Sequence, residues 1–219
     1  MATPQADARN VASLRMGPSR KRKVDSDRQE ELLRRLQDVL LTEGFAGLTV
    51  DNLAARLQCS KSTLYAIASS KESLVVKVLK QFFRVAAERV EARVAHIVSP
   101  PERIATYLTA VGAEMRRMSP ACYADMVSQD STRGLYALNS AAAARRVREF
   151  IQQGVGEGAF RSVHARFVGE AVSLLIEGIQ HGELLARTNL SSGDAFTELG
   201  DIVLAALTNK TQERLGPTA

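Results

Sequence analysis

Three candidate helix caps, Thr49, Ser60 and Ser69, fall within 21 residues of one another. Spacing this tight constrains the chain more than any other feature. Thr49 can receive free backbone N–H groups on its hydroxyl, and Asp51 suits the positive end of a helix dipole. The helix they open buries Val50, Leu53, Ala54 and Leu57. Gln58-Cys59 leaves room for a tight turn only. Ser60 then caps a third helix with Leu64 and Ile67 inward. Ser69 and Glu72 have capping-box spacing. They start a long helix with apolar residues at 74, 75, 78, 79, 82, 85, 86 and 90, running towards Val98 and stopped by Pro100-Pro101.

Upstream, Ser26 and Gln29 repeat the capping-box spacing before the stripe Leu32, Leu33, Leu36, Val39, Leu40, with Gly44 as the stop. Residues 1–25 carry few apolar side chains and the cluster Arg20-Lys21-Arg22-Lys23, and are expected to be a disordered basic tail. Beyond residue 100, helical patterns cover 102–118, 121–128, 131–153, 164–187 and 194–208. Their breaks are Ser119-Pro120, GVGEGAF and TNLSSGD, and strand-like alternation is absent. The expected fold is all-α, with a tail at 1–25, a helix-turn-helix head at 26–72 and a helical body at 73–219.

The charge is divided in the same way. Residues 1–80 hold 14 Lys and Arg against 9 Asp and Glu, while residues 81–219 hold 15 of each. A basic head on a neutral body suits a polyanionic partner; a solvated basic helical surface is the plainer reading. Cys59 and Cys122 stand 63 positions apart and form no metal or disulfide framework, which suits a reducing compartment. No apolar run reaches the ~18 residues of a membrane span, and no signal-peptide core is visible. The expected location is the cytoplasm. His96, His164 and His181 stand alone, and HExxH, GxSxG, GxGxxG and Walker motifs are missing. No catalytic residue, metal ligand or cofactor is expected.

In a helix-turn-helix the second helix enters the DNA major groove by its N-terminal residues. Lys61, Ser62 and Thr63 occupy those positions after the Ser60 cap, and all three can donate hydrogen bonds. Tyr65 can lay its ring on a sugar and aim its hydroxyl at a phosphate. Lys71, in the first turn of the next helix, offers a second backbone clamp. With Thr49 and Ser60, these form the candidate DNA-binding set.

LTVDNLAARLQCSKSTLYAIASSKESLV resembles the DNA-binding domain of the TetR (tetracycline-repressor-like) family, through Thr49, Ser60, Thr63, Leu64, Tyr65, Lys71, Glu72 and Leu74. The match is specific over 28–80 and only architectural over 81–219. Gln58 departs from the pattern, standing where the turn often has glycine. So does YAIAS, where Ile67 must fill volume that Ala68 leaves. The resemblance implies a homodimer paired through its last two helices. It also implies a repressor that a small hydrophobic ligand releases from a palindromic operator. Two small-residue-rich stretches fit that pairing: Gly169, Ala171, Ser173 and Gly178, then Phe196, Leu199, Ile202, Val203, Ala206 and Leu207. Packing within one chain would use the same residues.

For the ligand, the stripe Tyr107, Val111, Met115, Met118 lies on one helix face. Glu114, Tyr123, Met126, Tyr136, Asn139, Glu177 and His181 add polar tips among apolar neighbours, a mix that can line a cavity or simply fill a core. Two other functions stay open: a DNA-binding protein of this fold without an effector, and an all-α enzyme or adaptor.

Overall fold

Helices follow one another without a strand through the described part of the computed structural model, residues 20–160 and 163–208. The first, α1 (Arg20–Glu43), starts six residues ahead of Ser26 and takes in the basic cluster. Ser26 offers cap chemistry, but Arg and Lys are good helix formers and nothing breaks the run before Gly17-Pro18. Residues 1–19 of the expected tail lie outside the described residues. α1 buries Leu36, Leu40 and Leu41 and stops, as expected, at Gly44 with φ +80°.

α2 (Val50–Leu57) and α3 (Lys61–Ile67) form the helix-turn-helix, and α4 (Lys71–Val94) follows. Leu53, Ala54, Leu57 and Leu64 are buried, as the pattern predicts. Ser70 caps α4 rather than Ser69. It accepts from the Ser73 N–H at 3.1 Å, and the Ser73 hydroxyl accepts from the Ser70 N–H at 3.0 Å. Adjacent serines carry the same cap chemistry, so spacing alone does not separate them.

The body comprises α5 (Pro100–Met115), α6 (Pro120–Ser128), α7 (Asp130–Gly156), α8 (Ala165–Gln180), α9 (Glu183–Thr188) and α10 (Ser192–Leu207). The single helix expected over 164–187 is broken at Gly182, φ +79°. α4 joins head and body. Near its start, Lys71 Nζ donates to the Ala46 carbonyl at 3.1 Å and Lys77 Nζ to Ile67 at 3.2 Å. Further along, Phe82 and Phe83 meet edge to face, and Phe83 stacks on Tyr136 of α7.

α10 packs tightly along α5. A Cβ on Gly112 would lie 2.5 Å from the Gly193 carbonyl oxygen, so the two backbones touch where neither has a side chain. Arg116 secures the crossing by donating to Gly193 O and Thr197 Oγ1, each at 3.1 Å. Phe196, Leu199, Val203 and Leu207 are consequently core within one chain. Of the pairing set expected on α10, Ile202 is the exposed member, at 58 %. On α8, Ser173 and Gly169 face α7, where Arg148 packs against both.

Candidate DNA-binding site and body cavity

The head holds its outer side chains in place with local hydrogen bonds. Thr49 and Asn52 form a reciprocal capping box at 3.1 and 3.0 Å. Ser60 Oγ accepts from the Thr63 N–H at 3.1 Å and lies 2.7 Å from Ser62 Oγ and 2.8 Å from Thr63 Oγ1. Three hydroxyls thus cluster at the start of α3. The Lys61 and Ser62 N–H groups, first in the helix, have no intrahelical acceptor, as at any helix N-terminus. Thr49, Ser60, Lys61, Ser62 and Thr63 are exposed, and Tyr65 is half exposed. Leu64 pins the helix from beneath, at 1 % exposure.

Two of the expected contacts are already engaged. Lys61 Nζ sits 2.5 Å from Asp51 Oδ1, an ion pair across the turn. Lys71 is half buried with its ammonium on the Ala46 carbonyl, so it braces the α1–α2 loop as well as presenting charge. The turn itself carries strain. Gln58 takes the left-handed conformation, φ 52° and ψ 47°, at a cost of about 1–2 kcal/mol for a residue with a Cβ. Its N–H closes α2 onto the Ala55 carbonyl at 3.2 Å.

Head meets body at α6. Asp125 Oδ2 accepts from the backbone N–H groups of Phe45 and Ala46, and the Ser119 N–H donates to the Leu41 carbonyl at 2.8 Å. Sequence reading passed over Asp125, since nothing local in ACYADMVS marks a carboxylate that acts 80 residues away.

Among α4, α5, α7 and Phe196 of α10 lies a cavity of about 270 Å³. It brings together six of the eleven residues expected to line a ligand site: Tyr107, Val111, Glu114, Met115, Tyr136 and Asn139. The other five lie elsewhere. Met118 and Met126 are packed into the core. Tyr123 turns its hydroxyl to the Ile179 and Gln180 carbonyls at 2.8 and 3.2 Å, closing the end of α8. Glu177 and His181 border a separate, more polar hollow between α7 and α8. The α5 stripe fails at Met118 because the helix ends at Met115, so the face does not continue. Phe82, Phe83, Phe196, Glu91, Glu149, Arg145 and Arg146 also line the first cavity, and the pattern along single helices did not reveal them.

Burial raises the Tyr107 and Tyr136 phenols well above their ordinary range, so both stay neutral donors. The Tyr136 hydroxyl is sealed from solvent and has no hydrogen-bond partner, although Tyr123 and Ser140 are its polar neighbours. A buried unpaired hydroxyl costs about 1–3 kcal/mol. Cys122 is fully buried, and desolvation pushes its thiol up to about 12. Among the described residues no cluster of His, Cys, Asp or Glu is placed to hold a metal ion, and no helix is long and apolar enough to cross a membrane.

A short helix seated after a tight turn, polar at its exposed start and pinned by one leucine, defines a helix-turn-helix DNA-binding regulator. Residues 33–78 match the family model described as bacterial regulatory proteins of the tetR family. The head therefore carries that family's DNA-binding domain. Solved structures share the fold well beyond the head. A transcriptional regulator from Saccharomonospora viridis in complex with choline is 18 % identical, covering 84 % of this chain and 100 % of its own, with a TM-score of 0.66. A TetR transcription regulator from Haloarcula marismortui is 17 % identical over 84 % and 100 %, at 0.65. A TetR-family regulator from Cytophaga hutchinsonii is 15 % identical over 89 % and 100 %, at 0.63. No curated protein matches the chain.

Proposed function

We propose that this regulator is a homodimeric repressor that acts in the cytoplasm by binding rather than turnover, and that a small molecule in the body cavity releases it from a palindromic operator. One observation carries the reading. α4 starts at the DNA-binding head, where Lys71 binds the α1–α2 loop and Lys77 the end of α3, and its later residues Phe82, Phe83, Ala86, Val90 and Glu91 form a cavity wall. A ligand that favours one placement of α4 therefore shifts the population of heads able to reach DNA.

Pairing is supported by an apolar face on the outside of α8 and α10. Phe167 and Leu174 are 72 % and 66 % exposed, and Ile202 is 58 % exposed. Ala171 and Gly178 continue the α8 face at helical spacing. Two-fold pairing would set two α3 helices on half-sites about 34–36 Å apart. Thr49, Ser60, Lys61, Ser62, Thr63, Tyr65 and Lys71 supply the base and phosphate contacts. The Saccharomonospora regulator's choline complex supports small-molecule binding by this fold.

Selection of bound duplexes from a random pool tests the proposal. The expected product is a two-fold symmetric site bound with steep salt dependence. Recovery of asymmetric sequences only, or affinity that does not respond to salt, would overturn it.

A further inference from the structure

The charges around the body cavity are unequally committed. Arg146 donates to both Glu91 oxygens at 2.9 Å and to Glu149 at 3.0 Å. Glu114 accepts from Arg117 at 2.8 Å and Arg89 at 3.4 Å. Each carboxylate on the wall thus already has a guanidinium. Arg145 also lines the cavity and is exposed, and among the described residues it has no ion-pair or hydrogen-bond partner.

Most of the aromatic faces are committed as well. Arg117 lies over the Phe82 ring, Phe83 stacks on Tyr136, and Tyr107 meets Phe150 edge to face. A cationic ligand would find neither a free carboxylate nor these faces open to it. An anion would find Arg145. At the other end, the buried Tyr136 hydroxyl has no partner within hydrogen-bonding distance, with the Ser140 and Tyr123 hydroxyls as its polar neighbours. Residues 136 and 145 both line the cavity, nine apart on α7, roughly 13 Å along its axis and about half a turn around it.

We infer that the cavity takes an elongated amphipathic organic anion, with its charged group on Arg145, its apolar body against Phe82, Val90 and Met115, and a hydrogen-bonding group at the far end answering Tyr136. This rests on the reading of the cavity as the effector site. It goes further by fixing the ligand's charge and length.

Calorimetric titration of the full-length protein tests it with four probes: 10-hydroxydecanoate, 1,10-decanediol, decanoate and decyltrimethylammonium. The hydroxy acid should bind at least about tenfold tighter than the diol, the size expected of a charge-assisted contact. Arg145→Gln should erase that preference and leave diol binding unchanged. Arg145 is exposed and makes no ion pair or hydrogen bond among the described residues, so the variant should melt with the wild type. Tyr136→Phe, which keeps the ring, should erase the preference for the hydroxy acid over decanoate.

Diol or ammonium binding as tightly as the hydroxy acid would overturn the anion assignment and leave the cavity as a ligand site of another class. An anion preference that survives Arg145→Gln would remove that residue's role. If none of the four binds, the effector reading of the cavity falls together with this one.

Discussion

Asp125, on α6, accepts a hydrogen bond from the backbone N–H of Phe45, 80 residues earlier, at 2.5 Å, and the same oxygen takes the Ala46 N–H at 2.7 Å. Phe45 is 1 % exposed, so its amide has little access to water. The contact fixes the loop after α1 to the body. Asp125→Ala should cost about 1–3 kcal/mol by stranding the Phe45 donor, and Asp125→Asn, which keeps an acceptor, should cost less. Denaturant melts of both variants check this. Equal losses would mean that the carboxylate is not what holds the loop.

Gln58 occupies a left-handed turn that glycine adopts freely. Gln58→Gly should stabilise the protein by about 0.5–1 kcal/mol, relief of strain outweighing the extra freedom of the unfolded chain. Gln58→Val should destabilise it. A glycine variant that unfolds at lower denaturant than the wild type would contradict the turn geometry.

Lys61 is neutralised by Asp51 while DNA is absent. An exposed pair of this kind is worth about 0–1 kcal/mol, so breaking it is cheap. Asp51→Asn should leave folding intact and tighten DNA binding severalfold, because it frees Lys61 and removes a charge that repels phosphate. Lys61→Ala should weaken binding and reduce the salt slope by about 0.9 if the ammonium meets a phosphate. Anisotropy titrations over a salt series measure both. Unchanged binding by the two variants would exclude Lys61 from the interface.

Phe167 and Ile202 are exposed, whereas Val203 is buried against the chain's own core. Phe167→Glu and Ile202→Glu should give folded monomers in sedimentation, and Val203→Asp should unfold the protein. Dimers that persist in both surface variants would place the pairing face elsewhere.

Stability should fall in alkali. Cys122, Tyr107, Tyr123 and Tyr136 all titrate higher when folded than their ordinary values of 9 to 10, because burial disfavours their charged forms. The folded state then holds more protons than the unfolded one, so the contribution is complete below about pH 9 and is lost as pH climbs towards 12 and beyond. Cys122→Ala should shallow the decline between pH 9 and 12. A melting temperature flat from pH 8 to 11 would refute the assignment.

The head was legible in the sequence because its determinants are local. Caps lie within three residues of the groups they serve, and Leu53, Leu57 and Leu64 face inward by helical period alone. The body was less so. Tyr107 and Met115 share a cavity as expected, but whether a helix face meets a cavity or a core depends on which helix lies opposite. That choice was made by contacts such as Gly112 on Gly193, between segments 81 residues apart. Tyr123 has the composition of a cavity residue, yet it spends its hydroxyl on the end of α8. Val203 fits a dimer seam by period and lies inside the chain because α5 claims that face of α10.

α4 passes through the point where a cut between head and body would be drawn, two residues past its start at Lys71. Its Lys71 binds the α1–α2 loop and its Lys77 the end of α3, while residues between Phe82 and Glu91 wall the cavity. An engineer who wishes to graft a new DNA specificity onto this body has no linker to splice. The join must fall inside a helix, keep its phase so that Leu79 and Phe82 stay inward, and carry over a loop whose Phe45 and Ala46 N–H groups still reach Asp125. Modularity in this protein is a matter of register.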